Sequence, residues 1–171
     1  RYYKWKAKQF GQTRLDWWDR NAPLPHSSET LIKWSEAKDI ILDSFASFHP
    51  EISNLAELFF KNNWIDASLR KGKASGAFAH PSVPSLHPYI LVNYQGKIRD
   101  VMTLAHELGH GVHQILAGKN GLLMAETPLT LAETASVFGE MLVFRKLLDE
   151  SSIAQKKQLL SGKIEDMLNT V

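Results

Sequence analysis

The chain has 171 residues, 44% hydrophobic and 22% charged, a balance that builds a buried core and excludes a disordered polymer. Its 20 Lys and Arg against 18 Asp and Glu leave a net charge of +2, dispersed without a basic cluster, so nucleic acid and anionic membrane are excluded as partners. The absence of cysteine excludes disulfides and thiolate metal sites, so any metal must be held by His and carboxylate, and it favours the cytoplasm.

No apolar run approaches the roughly 18 residues of a membrane span, and the N-terminal "RYYKWKAKQFG" is basic and aromatic, unlike a signal peptide. Residues 14–26, "RLDWWDRNAPLPH", mix prolines and Asp/Asn with aromatics, which predicts a loop pinned by partly buried rings with no domain boundary. A helix is predicted over about 28–49, capped by Ser27 or Ser28 with Glu29 in its first turn. Leu31, Trp34, Ile41 and Phe45 form its apolar stripe. "HP" at 49–50 ends it, and a second helix follows over about 51–63.

Residues 72–96 are rich in Gly and Pro and then in β-formers, predicting a β-hairpin over about 75–94 with strands near Ser75–Ala79 and Tyr89–Tyr94. Pro81, Pro84 and Pro88 are tolerated only beside an edge, and an edge strand offers backbone groups to an extended peptide. His80 and His87 read as loop histidines.

The next helix, predicted over about 98–117, contains "TLAHELGHGVH". His106, His110 and His113, spaced by four and three, fall within roughly 60° of one another on a helical wheel. Val101, Leu104, Ala105, Leu108, Val112 and Ile115 form the opposite, core-facing stripe, and Glu107 flanks the histidine face. Gly109 and Gly111 each cost about 1 kcal/mol against alanine in a helix, which suits a close approach of another backbone or a ligand. His-Glu-x-x-His is a zinc-hydrolase signature because imidazoles one turn apart grip Zn²⁺ while the Glu acts as general base. A surface helix with solvated His and Glu is the alternative, and a third ligand decides between them.

From about 128 to 148, "LTLAETASVFGEMLVFRKLL" predicts one helix, apolar nearly all round and therefore buried, with Glu133 and Glu140 on one apolar face. A buried carboxylate needs a cation or a donor. Glu133 is accordingly expected to complete a His106–His110–Glu133 site for one Zn²⁺ per chain, the fourth position going to water. The alternative is a buried salt bridge. Glu140 is expected to accept a hydrogen bond from a ligand imidazole or from His113. The ten-residue spacing to a third histidine used by metzincins is absent, since position 113 is His and position 116 is Leu. Ile153, Leu160, Ile164, Met167 and Leu168 continue an amphipathic pattern to the end without a stop signal, so the chain reads as a piece of a longer protein.

Together "GKASGAF", "HPYILVNYQGKIRDVMTLAHELGHGVH" and "LAETASVFGEML" resemble the oligoendopeptidase F group of the thimet-oligopeptidase-like metallopeptidases, through most of residues 1–148. The resemblance implies a mainly α, zincin-like helical catalytic domain with a small edge β-hairpin beside the metal helix, here a single partial domain over 1–171. It implies His106 and His110 as metal ligands, Glu107 as the base and a glutamate ligand within Ala132–Ser136, acting on internal bonds of short peptides. It also implies Tyr and His residues downstream of the glutamate helix that bind substrate and the oxyanion, in the remainder of a longer catalytic chain, so this chain alone is expected to bind zinc but cleave peptides poorly. Were it to match a longer chain, His113 and Tyr94 would be the first candidates for the oxyanion donor. A non-catalytic zinc- or peptide-binding fragment and an exopeptidase of the same metal class remain the alternatives.

Overall fold

The structure, a computed structural model, describes residues 1–25 and 31–169, whose contacts fall into two units, residues 30–147 and the terminal segments 1–29 with 148–171. In the larger unit, helix α2 (Trp34–Phe48) turns into α3 (Pro50–Lys61) through His49 in an extended conformation. The His49 ring accepts the Glu51 N–H at 3.3 Å, and Pro50 opens α3 where no donor is needed, so the two helices fold against each other. Helix α2 starts later than its pattern predicts. Ser27, Ser28 and Glu29 lie outside the described residues, Leu31 is exposed, and Ile32 is buried with its N–H bonded to Gly96 O at 2.8 Å. That bond holds the backbone at Ile32 in the loop before the helix.

The expected hairpin is present with shorter strands, β2 (Phe78–His80) and β3 (Tyr89–Leu91), and gains a strand that no periodicity announced, β1 (Ile65–Asp66). The order is β1-β3-β2, with β1 parallel to β3 (Ile65↔Ile90) and β2 antiparallel to it (Ala79↔Ile90). Tyr89 thus opens the central strand, while the prolines stay in the connection and β2 keeps an open edge. Lys73 fastens the loop after β1. Its buried ammonium donates to the carbonyls of Asp66 (2.9 Å), Ser68 (2.9 Å) and Val92 (2.7 Å), while Arg70 forks onto the Asp66 carboxylate at 2.7 and 2.6 Å.

Helix α4 (Ile98–Gly118) follows Gly96, whose φ of 90° and tight seat 3.1 Å from Ile32 O disfavour any side chain. The Asp100 carboxylate accepts the N–H groups of Gln95 (2.8 Å) and Lys97 (3.0 Å), fixing the helix start. The predicted stripe is the core. Val101, Leu104, Ala105, Leu108 and Val112 pack with Ile41 and Phe45 of α2, Phe59 of α3, and Ile90 with Val92.

Helix α5 (Leu129–Glu150) departs from its expectation. Ser136, Gly139, Val143 and Phe144 are buried, but Leu129, Leu131, Val137 and Phe138 are exposed, so it is not buried all round. Its contact with α4 runs through small residues. A Cβ on Gly109 would stand 2.6 Å from Ala135 O, and one on Gly139 3.1 Å from Ala105 O. The seam is narrow; Phe138 meets the Phe48 ring edge-on at 4.8 Å, and Leu129, Leu131 and Val137 stay largely exposed among the described residues.

In the smaller unit, α1 (Tyr2–Gln9) and α6 (Ile153–Asn169) are joined by side chains. Lys6, 1% exposed, donates to Glu165 Oε2 and to Arg20 O, both at 2.6 Å, and Tyr2 OH reaches Glu165 at 2.8 Å. The amphipathic pattern near the end is thus a helix, and the N-terminal helix is an addition to the sequence reading. Trp17 and Trp18, expected to pin their loop as partly buried rings, are exposed and stack edge-on at 5.6 Å in a 3₁₀ turn. No helix among the described residues is long and apolar enough to cross a membrane.

Candidate metal centre

His106 and His110, one turn apart on the face of α4 opposite its core stripe, stand with ring centroids 5.0 Å apart and nearly perpendicular. From α5, Glu133 Oε2 comes to 3.1 Å from His106 Nε2 and 3.6 Å from His110 Nε2. One atom from each of these three residues fits within 4.8 Å of the others, a spacing that a single cation can bridge. Two imidazoles with one carboxylate are the donors a borderline-soft ion such as zinc prefers, so chemistry and spacing both fit the metal.

Glu133 reaches this point by a route other than the expected one. Its side chain is 54% exposed, so the premise of a buried carboxylate in want of a cation is corrected. What holds it is Ser136, fully buried, whose hydroxyl contacts Glu133 O (3.0 Å) and Glu133 Oε2 (2.9 Å). Sequence reasoning gave Ser136 no role of its own. The signal was there: a Ser three residues after a candidate ligand, on the seam side of the helix, can bond back to the preceding turn.

Glu140, two turns along α5, lies 3.3 Å from His106 Nδ1, close enough to orient that ring. With the Nδ1 proton given to Glu140, the Nε2 lone pair of His106 faces Glu133. Burial pulls the His106 pKa down, but the hydrogen bond to Glu140 and the charges of Glu107, Glu133 and Glu140 outweigh it and leave it raised. His110 goes the other way. Burial lowers it, Glu133 opposes, and the neighbouring His106 and His113 add to the fall, which favours the neutral form a metal needs.

Glu107 is 6% exposed, more enclosed than its flanking place on the wheel implies. Burial lifts its pKa from 4.5 to about 7, with His106 opposing and Glu133 adding to the rise. His113 lines the cleft beside His110, together with His80, Gln114, Glu126 and Thr127, around a cavity of about 510 Å³. Tyr94 does not join them. Its hydroxyl donates to Ile32 O at 2.8 Å, and burial raises its pKa to about 12, so it clamps the loop before α2. His87 is likewise structural, stacked on Trp64 at 4.0 Å.

Residues 31–171 match Peptidase family M3. Across 99% of its length the chain is 32% identical to an oligoendopeptidase F homolog of Borreliella burgdorferi, and across 100% it is 28% identical to the oligopeptidase PepF of Bacillus subtilis. It spans 29% and 26% of those relatives, little more than a quarter of their length. A crystal structure of a proposed peptidase from Chlamydophila abortus superposes on 99% of the chain with a TM-score of 0.82 at 30% identity, using 29% of that protein.

Proposed function

The chain belongs to peptidase family M3, and from that premise we propose that it carries the catalytic centre of a zinc-dependent endopeptidase acting on internal bonds of short peptides. The observation that carries this reading is the meeting of His106, His110 and Glu133 within 4.8 Å, beside a buried Glu107. Three protein ligands with an exposed carboxylate among them leave a coordination position open to solvent, the pattern of a catalytic rather than a closed structural site. A zinc ion held there would supply Lewis acidity, bringing the pKa of water toward about 7 and offsetting charge on the scissile carbonyl.

Glu107 takes the proton of the attacking water and passes it to the leaving amine, so no net proton stays on the enzyme when the C–N bond has broken. Its raised pKa suits both halves of that transfer near neutrality. His106 is kept in one tautomer by Glu140, and Ser136 keeps Glu133 aimed at the two imidazoles. The peptide lies along β2. Ala79 pairs with Ile90, whose own N–H goes to Trp64 O, so the outer edge of β2 faces the α4 side, where Gln114 Nε2 reaches Ala79 O at 3.4 Å. Other groups that hold the substrate and the oxyanion are assigned to the remainder of a longer catalytic chain, and the compartment to the cytoplasm.

A non-catalytic zinc- or peptide-binding fragment would have no use for a carboxylate buried beside the metal, and the exopeptidase alternative needs an anchor for a peptide terminus. Metal analysis and product mapping with an end-blocked oligopeptide test the reading. About one zinc per chain is expected in both wild type and Glu107→Gln, with hydrolysis lower in the variant by at least about 10²-fold. A protein of its full natural length that releases no internal fragment at complete zinc occupancy, or a Glu107→Gln variant with near-normal rates at equal zinc, would sink it.

A further inference from the structure

The connection from β1 to β2, residues 67–77, crosses the end of β3. Strand β1 runs parallel to β3 and β2 antiparallel, so the end of β1 and the start of β2 both flank Leu91. Two side chains hold this crossing, one for each half. Lys73 ties the half that leaves β1, through the carbonyls of Asp66, Ser68 and Val92. Asn93 holds the half that enters β2. It spends both protons of Nδ2 on backbone carbonyls, Ala74 O and Gly76 O, each at 3.0 Å. Gly76, at a left-handed φ of 85°, turns the chain toward Phe78, the first residue of β2.

Strand β2 needs that hold. It has three residues, pairs on one side only, and turns its other side toward α4, where Gln114, one turn after His110, reaches Ala79 O at 3.4 Å. A strand this short can swing about its pairing with β3, and the loop that feeds it sets where it comes to rest. Asn93 belongs neither to the metal centre nor to the cleft beside it, so its leverage on a peptide runs through β2 alone. We infer that Asn93 is a positioning residue: by pinning Ala74 and Gly76 it fixes the outer edge of β2, and so governs the binding of peptides long enough to pair with that edge. The inference rests on the peptide-hydrolase reading above.

The test compares two end-blocked peptides with the same residues at the cleaved bond, one of about four residues and one of about ten, so that only the second can run the length of β2. Zinc-loaded protein of full natural length is assayed as wild type, Asn93→Asp, Asn93→Gln and Gly76→Ala. Asn93→Asp keeps the shape but cannot donate, and should raise KM for the long peptide about tenfold while kcat changes by less than about twofold. KM for the short peptide, and zinc affinity by chelator competition, should stay within about twofold of wild type. Asn93→Gln, which restores the N–H groups on a longer stem, should recover part of the loss. Gly76→Ala perturbs the same entry independently. Its methyl meets nothing within 4 Å and strains only the backbone, so it should repeat the length-dependent rise in KM. A general loss of structure would instead lower activity toward both peptides together. Equal effects on the two peptides, an unchanged KM for the long peptide in both Asn93→Asp and Gly76→Ala, or loss of zinc from Asn93→Asp overturns this inference and leaves the zinc-endopeptidase reading standing. If zinc-loaded wild type cleaves neither peptide, that reading fails and the positioning role with it.

Discussion

Helices α4 and α5 contribute to one candidate site from opposite surroundings. The inner stripe of α4 meets α2, α3 and the sheet, all within the same unit, so His106 and His110 rest on a fully packed base. Helix α5 touches α4 along a seam of Ser136 and Gly139 and leaves Val137 and Phe138 exposed, so Glu133 depends on that seam. The placement of Glu133 therefore rests on the closeness of two backbones more than on burial of the carboxylate.

Gly109→Ala is the sharpest way to break that arrangement. The added methyl would meet Ala135 O at 2.6 Å and Ser136 Cα at 2.7 Å, backbone atoms that move only with the whole helix. A loss of about 1–3 kcal/mol in urea-unfolding stability is expected, with weakened zinc binding because Glu133 and Ser136 shift together. Val137→Ser, on the exposed side of the same helix, should change stability by less than about 0.5 kcal/mol. Equal effects from the two substitutions would erase the distinction between seam and outer face.

Glu140→Gln tests the same seam with a smaller perturbation. It leaves the backbones in place and weakens only the hold on His106 Nδ1. Competition with a chelator should show zinc affinity lower by roughly 10–100-fold, the metal being retained at saturating concentration. An unchanged affinity would return Glu140 to a structural role in α5.

The contrast also explains what could be read in advance. The stripe of α4 and the convergence of His106 with His110 follow from a 3.6-residue period, which is local. Both glycines of "HELGHGVH" signalled a close approach, and the structure supplies the partners, the α5 backbone for Gly109 and the Phe59 ring for Gly111. The exposure of Leu131, Val137 and Phe138 was illegible, because apolar periodicity reports what a helix can bury and not whether a cover is present. Strand β1 escaped for a different reason. Two residues carry no period, and Ile65–Asp66 is defined by its pairing with Ile90 and Leu91. The clamp of Tyr94 on Ile32 joins positions 62 residues apart, a separation that no local pattern spans.

The smallest expected effects come from pH, where the site and the sheet should respond with opposite signs. Glu107, buried on α4, has its pKa lifted from 4.5 to about 7, so the folded protein without metal holds this proton more tightly than the unfolded chain does. Its contribution to stability is present at low pH and is lost as pH rises through about 7. Asp66, beside the sheet, is lowered from 3.8 to about 2 by hydrogen bonds from Arg70 and then Lys73. Its contribution is present above pH 3.8 and is lost as pH falls through about 2. Urea midpoints of chelator-treated protein separate the two. Between about pH 5 and pH 8, wild type should lose more stability than Glu107→Gln, whose amide has no proton to release, and zinc should reduce that difference because a cation favours the ionised carboxylate. The cost of Asp66→Asn should be constant over the same range and shrink only in strong acid, where the native Asp66 is itself neutral. A Glu107→Gln profile parallel to wild type from pH 5 to pH 8 would mean that burial does not hold the proton on Glu107, and would leave the exposed clamp at Asp66 as the sole carboxylate of the pair tuned by its surroundings.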